Sequence, residues 1–182
     1  MLEPTHQTAL FDLVRAAIAA RLAGDPPPAL PAGPAEFSEP RGVFVTLRQP
    51  KGDLRGCIGY TEPRLPLAEA VRELAVRAAF HDPRFPPLKA EEQEGLQLEL
   101  SVLTPLEPAD PERIEVGVHG LQIRYAGRAG LLLPQVASSR GWDAETFLQH
   151  TCVKAGLPPE AWREPGAEVF WFRCEVYPPE HG

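Results

Sequence analysis

The sequence predicts an α+β fold of antiparallel sheets with flanking helices, on three observations. Apolar residues recur at helical spacing in some segments and at period two in others. The period-two segments are joined mostly by short turns, as in hairpins. The helical segments do not alternate strictly with the strands, which argues against a doubly wound parallel sheet. A chain of 182 residues fits a single domain, 1–182, large enough to bury its own core.

Leu10, Leu13, Val14, Ala17, Ile18 and Leu22 mark a first helix that stops at Gly24. Residues 25–40 are crowded with prolines and read as an irregular strap. Val43, Val45 and Leu47 then alternate with Phe44, Thr46 and Arg48 as a strand, and Pro50-Lys51-Gly52-Asp53 turns the chain into a second one over Leu54 to Tyr60. In that strand Arg55, Cys57 and Gly59 are expected on one face, with Leu54, Gly56, Ile58 and Tyr60 on the other. A second helix follows Pro66 and ends near Phe80, with His81 at its end. Leu96 to Val102 is a strand with one polar face. Ile114 to Val118 reads as another, turning at His119-Gly120 into Leu121 to Tyr125. A further turn at 127–130 leads into Leu131 to Leu133. A short helix starts at Pro134, a longer one runs from Trp142-Asp143 to Gly156, and a last strand covers about Val169 to Tyr177.

The net charge of −7 disfavours a general grip on nucleic acid, which needs a basic stripe. Only a local patch of Arg48, Arg55 and Arg84 speaks for it. No apolar run approaches the length of a membrane span, and the start lacks the features of a signal peptide. The three cysteines are odd in number and have no CxxC spacing, which suggests reduced thiols and a cytoplasmic protein.

The hexapeptide Leu54-Arg55-Gly56-Cys57-Ile58-Gly59 carries the clearest chemistry. A cation near a thiol stabilises the reactive thiolate, and Arg55 and Cys57 share a face in the period-two reading. Gly56 and Gly59 would leave the backbone bare for a ligand. Cys152 lies on a helical apolar stripe and Cys174 on an apolar strand face, so both read as core. Three residues are candidate proton carriers for Cys57. His81 and His119 each sit at the end of a regular element, and Glu99 sits on a polar strand face. His150 reads as a surface residue, and His6 and His181 lie near the termini. No close pair of ligands suggests a metal site, and no nucleotide-binding glycine motif is present, so no cofactor is expected.

That hexapeptide, with Asp82-Pro83-Arg84-Phe85-Pro86-Pro87-Leu88, Glu99-Leu100-Ser101-Val102-Leu103, Val116-Gly117-Val118-His119-Gly120-Leu121 and Leu133-Pro134-Gln135-Val136, resembles the AMMECR-one domain family from about Phe11 to Tyr177. The resemblance implies two unequal, interleaved lobes, each with an antiparallel sheet, and a cleft between them. The family's biochemical activity is not established. Its prokaryotic members are associated with Memo-like and radical-SAM proteins, the AmmeMemoRadiSam set. This chain has no cluster-binding cysteine triad, so it would be the partner of the radical enzyme. By position, the motifs point to Arg55, Gly56, Cys57 and Gly59, then to Arg84, Phe85, Glu99 and His119.

Two functions are expected to compete. In the first, Cys57 is the nucleophile or redox thiol of a group-transfer or modification enzyme, with Arg55 tuning it and His119, His81 or Glu99 moving a proton. In the second, the chain is a non-catalytic ligand- or protein-binding module using the cleft, with Gly56, Gly59, Arg84 and Phe85 as binding residues.

Overall fold

The computed structural model describes residues 2–178; His181 lies outside them. The chain divides into two compact units, residues 2–102 with 175–178, and residues Leu103–Cys174. Both combine helices with antiparallel strands, as the sequence predicts.

In the first unit, helix α1 (Pro4–Ala23) places Pro4 in its first turn and ends where Gly24, at φ +77°, returns its N–H to the Ala20 carbonyl. Its buried stripe is Leu10, Phe11, Leu13, Val14, Ala17 and Ile18. Strands β1 (Val43–Arg48), β2 (Leu54–Tyr60) and β3 (Gln97–Leu103) form an antiparallel sheet with β1 in the middle and β2 outermost. Helix α2 (Leu67–Phe80) packs on β1 and β2 through Ala70, Val71, Leu74, Ala75 and Ala78. These side chains meet Val43, Val45, Leu47, Leu98 and Leu100 in one apolar core. Each large aliphatic residue there contributes about 1.5–3 kcal/mol relative to exposure. The proline strap is irregular except for a 3-10 turn at Ala35–Ser38, which buries Phe37. Arg72 ties it down with a 2.9 Å hydrogen bond from Nη1 to the Pro28 carbonyl.

The register of β2 departs from simple alternation. Gly56 lies opposite Leu47, and Leu54 opposite Arg48, so Arg55 is an extra residue without a partner on β1. This bulge separates Arg55 from the row that contains Cys57, which corrects the period-two reading.

In the second unit, β5 (His119–Tyr125) pairs with β6 (Arg128–Leu132) and with residues 168–173 of β7 (Glu168–Tyr177), and the short β4 (Glu107–Pro108) pairs with the same part of β7. Ala126 and Gly127, both at positive φ, make the two-residue turn between β5 and β6. Helices α3 (Pro134–Arg140) and α4 (Ala144–Lys154) cover Leu121 and Ile123 with Ala137, Phe147, Leu148 and Cys152. Asp143 caps α4 by accepting the Thr146 N–H at 2.8 Å. The strand expected over 114–118 is reduced to a bridge between Val116 and His119. Gly117, at φ +88°, takes the turn instead of Gly120, and His119 opens β5.

Candidate functional site

Residue by residue, the first unit builds a site around Cys57. Cys57 on β2 lies opposite Thr46 on β1, and Thr46 lies opposite Glu99 on β3. Directly opposed residues share a face, so thiol, hydroxyl and carboxylate form one row across three strands. The Thr46 hydroxyl donates to the half-buried Cys57 sulfur at 3.3 Å. Glu99 is paired at 3.5 Å with Arg48, one pleat along on the same face of the sheet.

The loop that follows α2 holds this row in place. Asp82, its side chain 1% exposed, accepts four hydrogen bonds. Its Oδ2 takes the Cys57 N–H at 2.9 Å and Arg84 Nη2 at 2.7 Å. Its Oδ1 takes the Arg84 N–H at 3.1 Å and Arg84 Nε at 2.9 Å. The Arg84 guanidinium then reaches over to donate from Nη2 to the Cys57 carbonyl at 3.1 Å. The hydrogen bond from Arg84, ahead of the backbone bonds, holds the Asp82 carboxyl far below the usual carboxylate range. Asp82 in turn pushes the Arg84 pKa up, through their hydrogen bond first and then by its charge. Arg84 is therefore the cation beside the thiol.

Arg55 does not play that part. Only 3% exposed, it forms a fork with Glu92, Nε to Oε1 at 2.7 Å and Nη2 to Oε2 at 3.1 Å, and Nη2 also donates to the Pro86 carbonyl at 3.0 Å. The bulge turns it away from the thiol row and into the second motif. Phe85 lies between the two cations, its ring centroid 6.0 Å from Arg55 Cζ and 5.6 Å from Arg84 Cζ. The two sequence motifs are thus halves of one arrangement. Asp82-Pro83-Arg84-Phe85-Pro86 supplies the charges and carbonyls that fix Arg55 and Cys57.

The glycines have a packing reason. A Cβ at Gly56 would stand 2.1 Å from the Ala78 carbonyl oxygen of α2. One at Gly59 would stand 2.2 Å from the Phe44 ring. The space beside each is filled by the protein itself, which corrects the expectation of a bare backbone open to ligand. His81 caps α2 and lines a largely apolar groove of about 610 Å³ with Ala17, Pro28 and Val76. Its side chain makes no hydrogen bond to the Cys57 row. His119 belongs to the second unit, where it is 5% exposed and stacked on Trp171 at 4.6 Å. Cys152 is fully buried, and burial pushes its thiol pKa up, as suits a core residue. His150 stacks on Trp142 at 3.9 Å. Among the described residues, no group of three or more His, Cys, Asp or Glu could hold a metal ion, and no helix is long and apolar enough to cross a membrane.

Thr46, Asp82 and Glu92 are the site residues that sequence reasoning missed. Asp82 had a visible signal, since an acidic residue between a helix end and Pro83 opens the second motif. Glu92 carries a testable consequence. The Arg55 fork lowers its pKa from 4.5 to about 2. A depressed carboxyl pKa stabilises the fold above the unfolded value and loses that contribution as pH falls through the folded one. Chemical denaturation should therefore show stability falling with acid from about pH 4.5 towards pH 2, and Glu92→Gln should flatten part of that slope. A variant with the wild-type slope would show that the pair makes no net contribution.

The profile of the AMMECR1 family matches residues 11–177. A protein of Methanothermobacter thermautotrophicus is 48% identical over 176 residues, covering 92% of this chain and 91% of its own. Protein MK0488 of Methanopyrus kandleri is 50% identical over 153 residues, covering 79% of this chain and 74% of its own. The crystal structure of the uncharacterized protein PH0010 from Pyrococcus horikoshii is similar with a TM-score of 0.69 and 43% identity, over 94% of this chain and 90% of that one. Motifs, fold and relatives agree: the chain belongs to the AMMECR1 family.

Proposed function

We propose that this protein is a cysteine-dependent enzyme, or the thiol-bearing component of one, that carries out group transfer or modification through Cys57. The observation that carries this reading is the Cys57 environment. Its sulfur accepts from Thr46, and its N–H and carbonyl are both held by the Asp82–Arg84 pair, which brings a guanidinium to the thiol. A fixed main chain and an adjacent cation are what an activated thiol needs. In the transfer step Cys57 sulfur bonds to an electrophilic carbon, the bond to the leaving group breaks, and the thiol proton leaves with that group. Glu99, opposite Thr46 in the same row, is the group to which this reading gives the exchange of that proton. The protein works in the cytoplasm beside Memo-like and radical-SAM partners, as the family resemblance implies.

The test is carbamidomethylation of native protein at pH 7, followed by peptide mass. Cys57 should react at least as fast as free glutathione. Arg84→Gln should slow it several-fold while the circular dichroism spectrum is kept. A Cys57 as slow as the buried Cys152 would end the thiol reading and leave the binding module. Independence of the rate from Arg84 would end the role given to that cation.

A further inference from the structure

The second unit holds a cavity of about 680 Å³, within the range of small-molecule sites. Its floor is set by strand register. His119 on β5 lies opposite Arg173 on β7, and Glu107 on β4 lies opposite Trp171 on β7, so the two charges of opposite sign flank a neutral ring on one sheet face. Arg113 and Glu115, from the loop before β5, line the same cavity.

His119 is built to donate. The Glu115 backbone N–H donates to its Nδ1 at 3.1 Å, so Nδ1 carries a lone pair and the hydrogen sits on Nε2. Burial first, then the Arg173 cation, lowers its pKa against the opposing pull of Glu115, which favours the neutral ring. Trp171 fixes the ring plane by stacking at 28°. Nε2 has no hydrogen-bond partner among the described residues, although the residue is 5% exposed and faces the cavity. The Nε2–H opens onto the cavity, a donor held in one orientation that a ligand can take up in place of water. Arg173 is equally well set, because its N–H donates to Thr104 Oγ1 at 2.8 Å and its carbonyl accepts the Thr104 N–H at 2.9 Å, while its guanidinium remains exposed.

The lining decides the charge of the ligand. A simple anion would meet His119 Nε2–H and Arg173 but also the carboxylates of Glu107, Glu112 and Glu115. A simple cation would meet those carboxylates but also Arg113 and Arg173. We propose that this cavity binds a small zwitterion of the α-amino acid or dipeptide class, its carboxylate on His119 Nε2–H and Arg173 and its ammonium on the glutamate side. This site is independent of the chemistry proposed for Cys57.

The experiment is an NMR titration of the full chain, observing the His119 Cε1–H signal. The probes are each common L-amino acid and glycylglycine at about 10 mM, enough to occupy a millimolar site. Acetate, ethylamine, and the N-acetyl and methyl ester forms of any amino acid that binds serve as single-charge controls. At least one zwitterion should shift His119 saturably, its blocked forms should not, and Arg173→Gln should weaken binding about tenfold. Because the Arg173 side chain is exposed, that variant tests the contact without a core defect. Silence from every zwitterion, an equal response to acetate or ethylamine, or unchanged affinity in Arg173→Gln would each overturn the proposal.

Discussion

Gly56→Ala lowers the thermal unfolding midpoint by about 6–12 °C. The added methyl would stand 2.1 Å from the Ala78 carbonyl oxygen and 3.1 Å from its carbon. Both are backbone atoms of α2, so no side chain can turn aside. Strand and helix must part by about an ångström, and the parting strains Leu74, Ala75 and Ala78 at the centre of the first core. Overpacking of this kind costs about 3 kcal/mol, and in a chain of this size each kcal/mol moves the midpoint by about 2–4 °C. Gly59→Ala should cost less, because the nearest obstacle is the Phe44 side chain, with the Val43 carbonyl at 2.7 Å behind it. A Gly56→Ala protein melting within about 2 °C of wild type would show that helix packing does not require the glycine, and a ligand contact would again have to explain it.

Asp82→Asn is the second large effect. The substitution keeps the shape and removes the charge, and neither orientation of the amide fits. Each carboxylate oxygen accepts from two donors, Oδ2 from Cys57 N–H and Arg84 Nη2, Oδ1 from Arg84 N–H and Nε. The new NH2 group must therefore face a pair of donors whichever way it turns. Losing one partner of a buried charge pair costs about 3–5 kcal/mol, and Arg84, with its side chain 53% exposed, recovers part of that by turning to water. The expected loss is about 2–4 kcal/mol by denaturant titration, with Cys57 alkylation altered in the same variant because its main chain is no longer held. A stability within about 0.5 kcal/mol of wild type would mean that the loop holds its position without the carboxylate.

Much of the fold was legible because burial leaves a period. The stripe of Leu10, Val14, Ala17 and Ile18, the alternation from Val43 to Leu47 and the stripe from Leu67 to Ala78 each put apolar side chains where a core would need them. The site was legible in its membership and not in its wiring. Cys57, Arg84, Phe85 and Glu99 stand out in the sequence, yet period two sets Arg55 and not Arg84 beside Cys57. A seven-residue strand that alternates well gives no sign that one residue is bulged, because a bulge changes register and leaves composition untouched. Gly56 and Gly59 were ambiguous for a different reason. A glycine admits close approach and does not say whether a ligand or a helix approaches. At Val116 to Leu121 two glycines could each take the turn, and only the positive φ of Gly117 decides between them. Asp82 looks like a helix terminus in sequence, since the donors that surround it come from Cys57, 25 positions earlier, and from Arg84.

The Asp82–Arg84 pair has a consequence for solubility. Strand β2 is outermost in its sheet, and an outermost strand offers bare N–H and C=O groups on which another chain can extend the sheet. At Cys57 those two groups already have a carboxylate on the N–H and a guanidinium on the carbonyl, the acceptor and donor that an incoming strand would bring. The pair imitates one rung of a neighbouring strand in side-chain atoms, so it guards the sheet against intermolecular strand addition at Cys57.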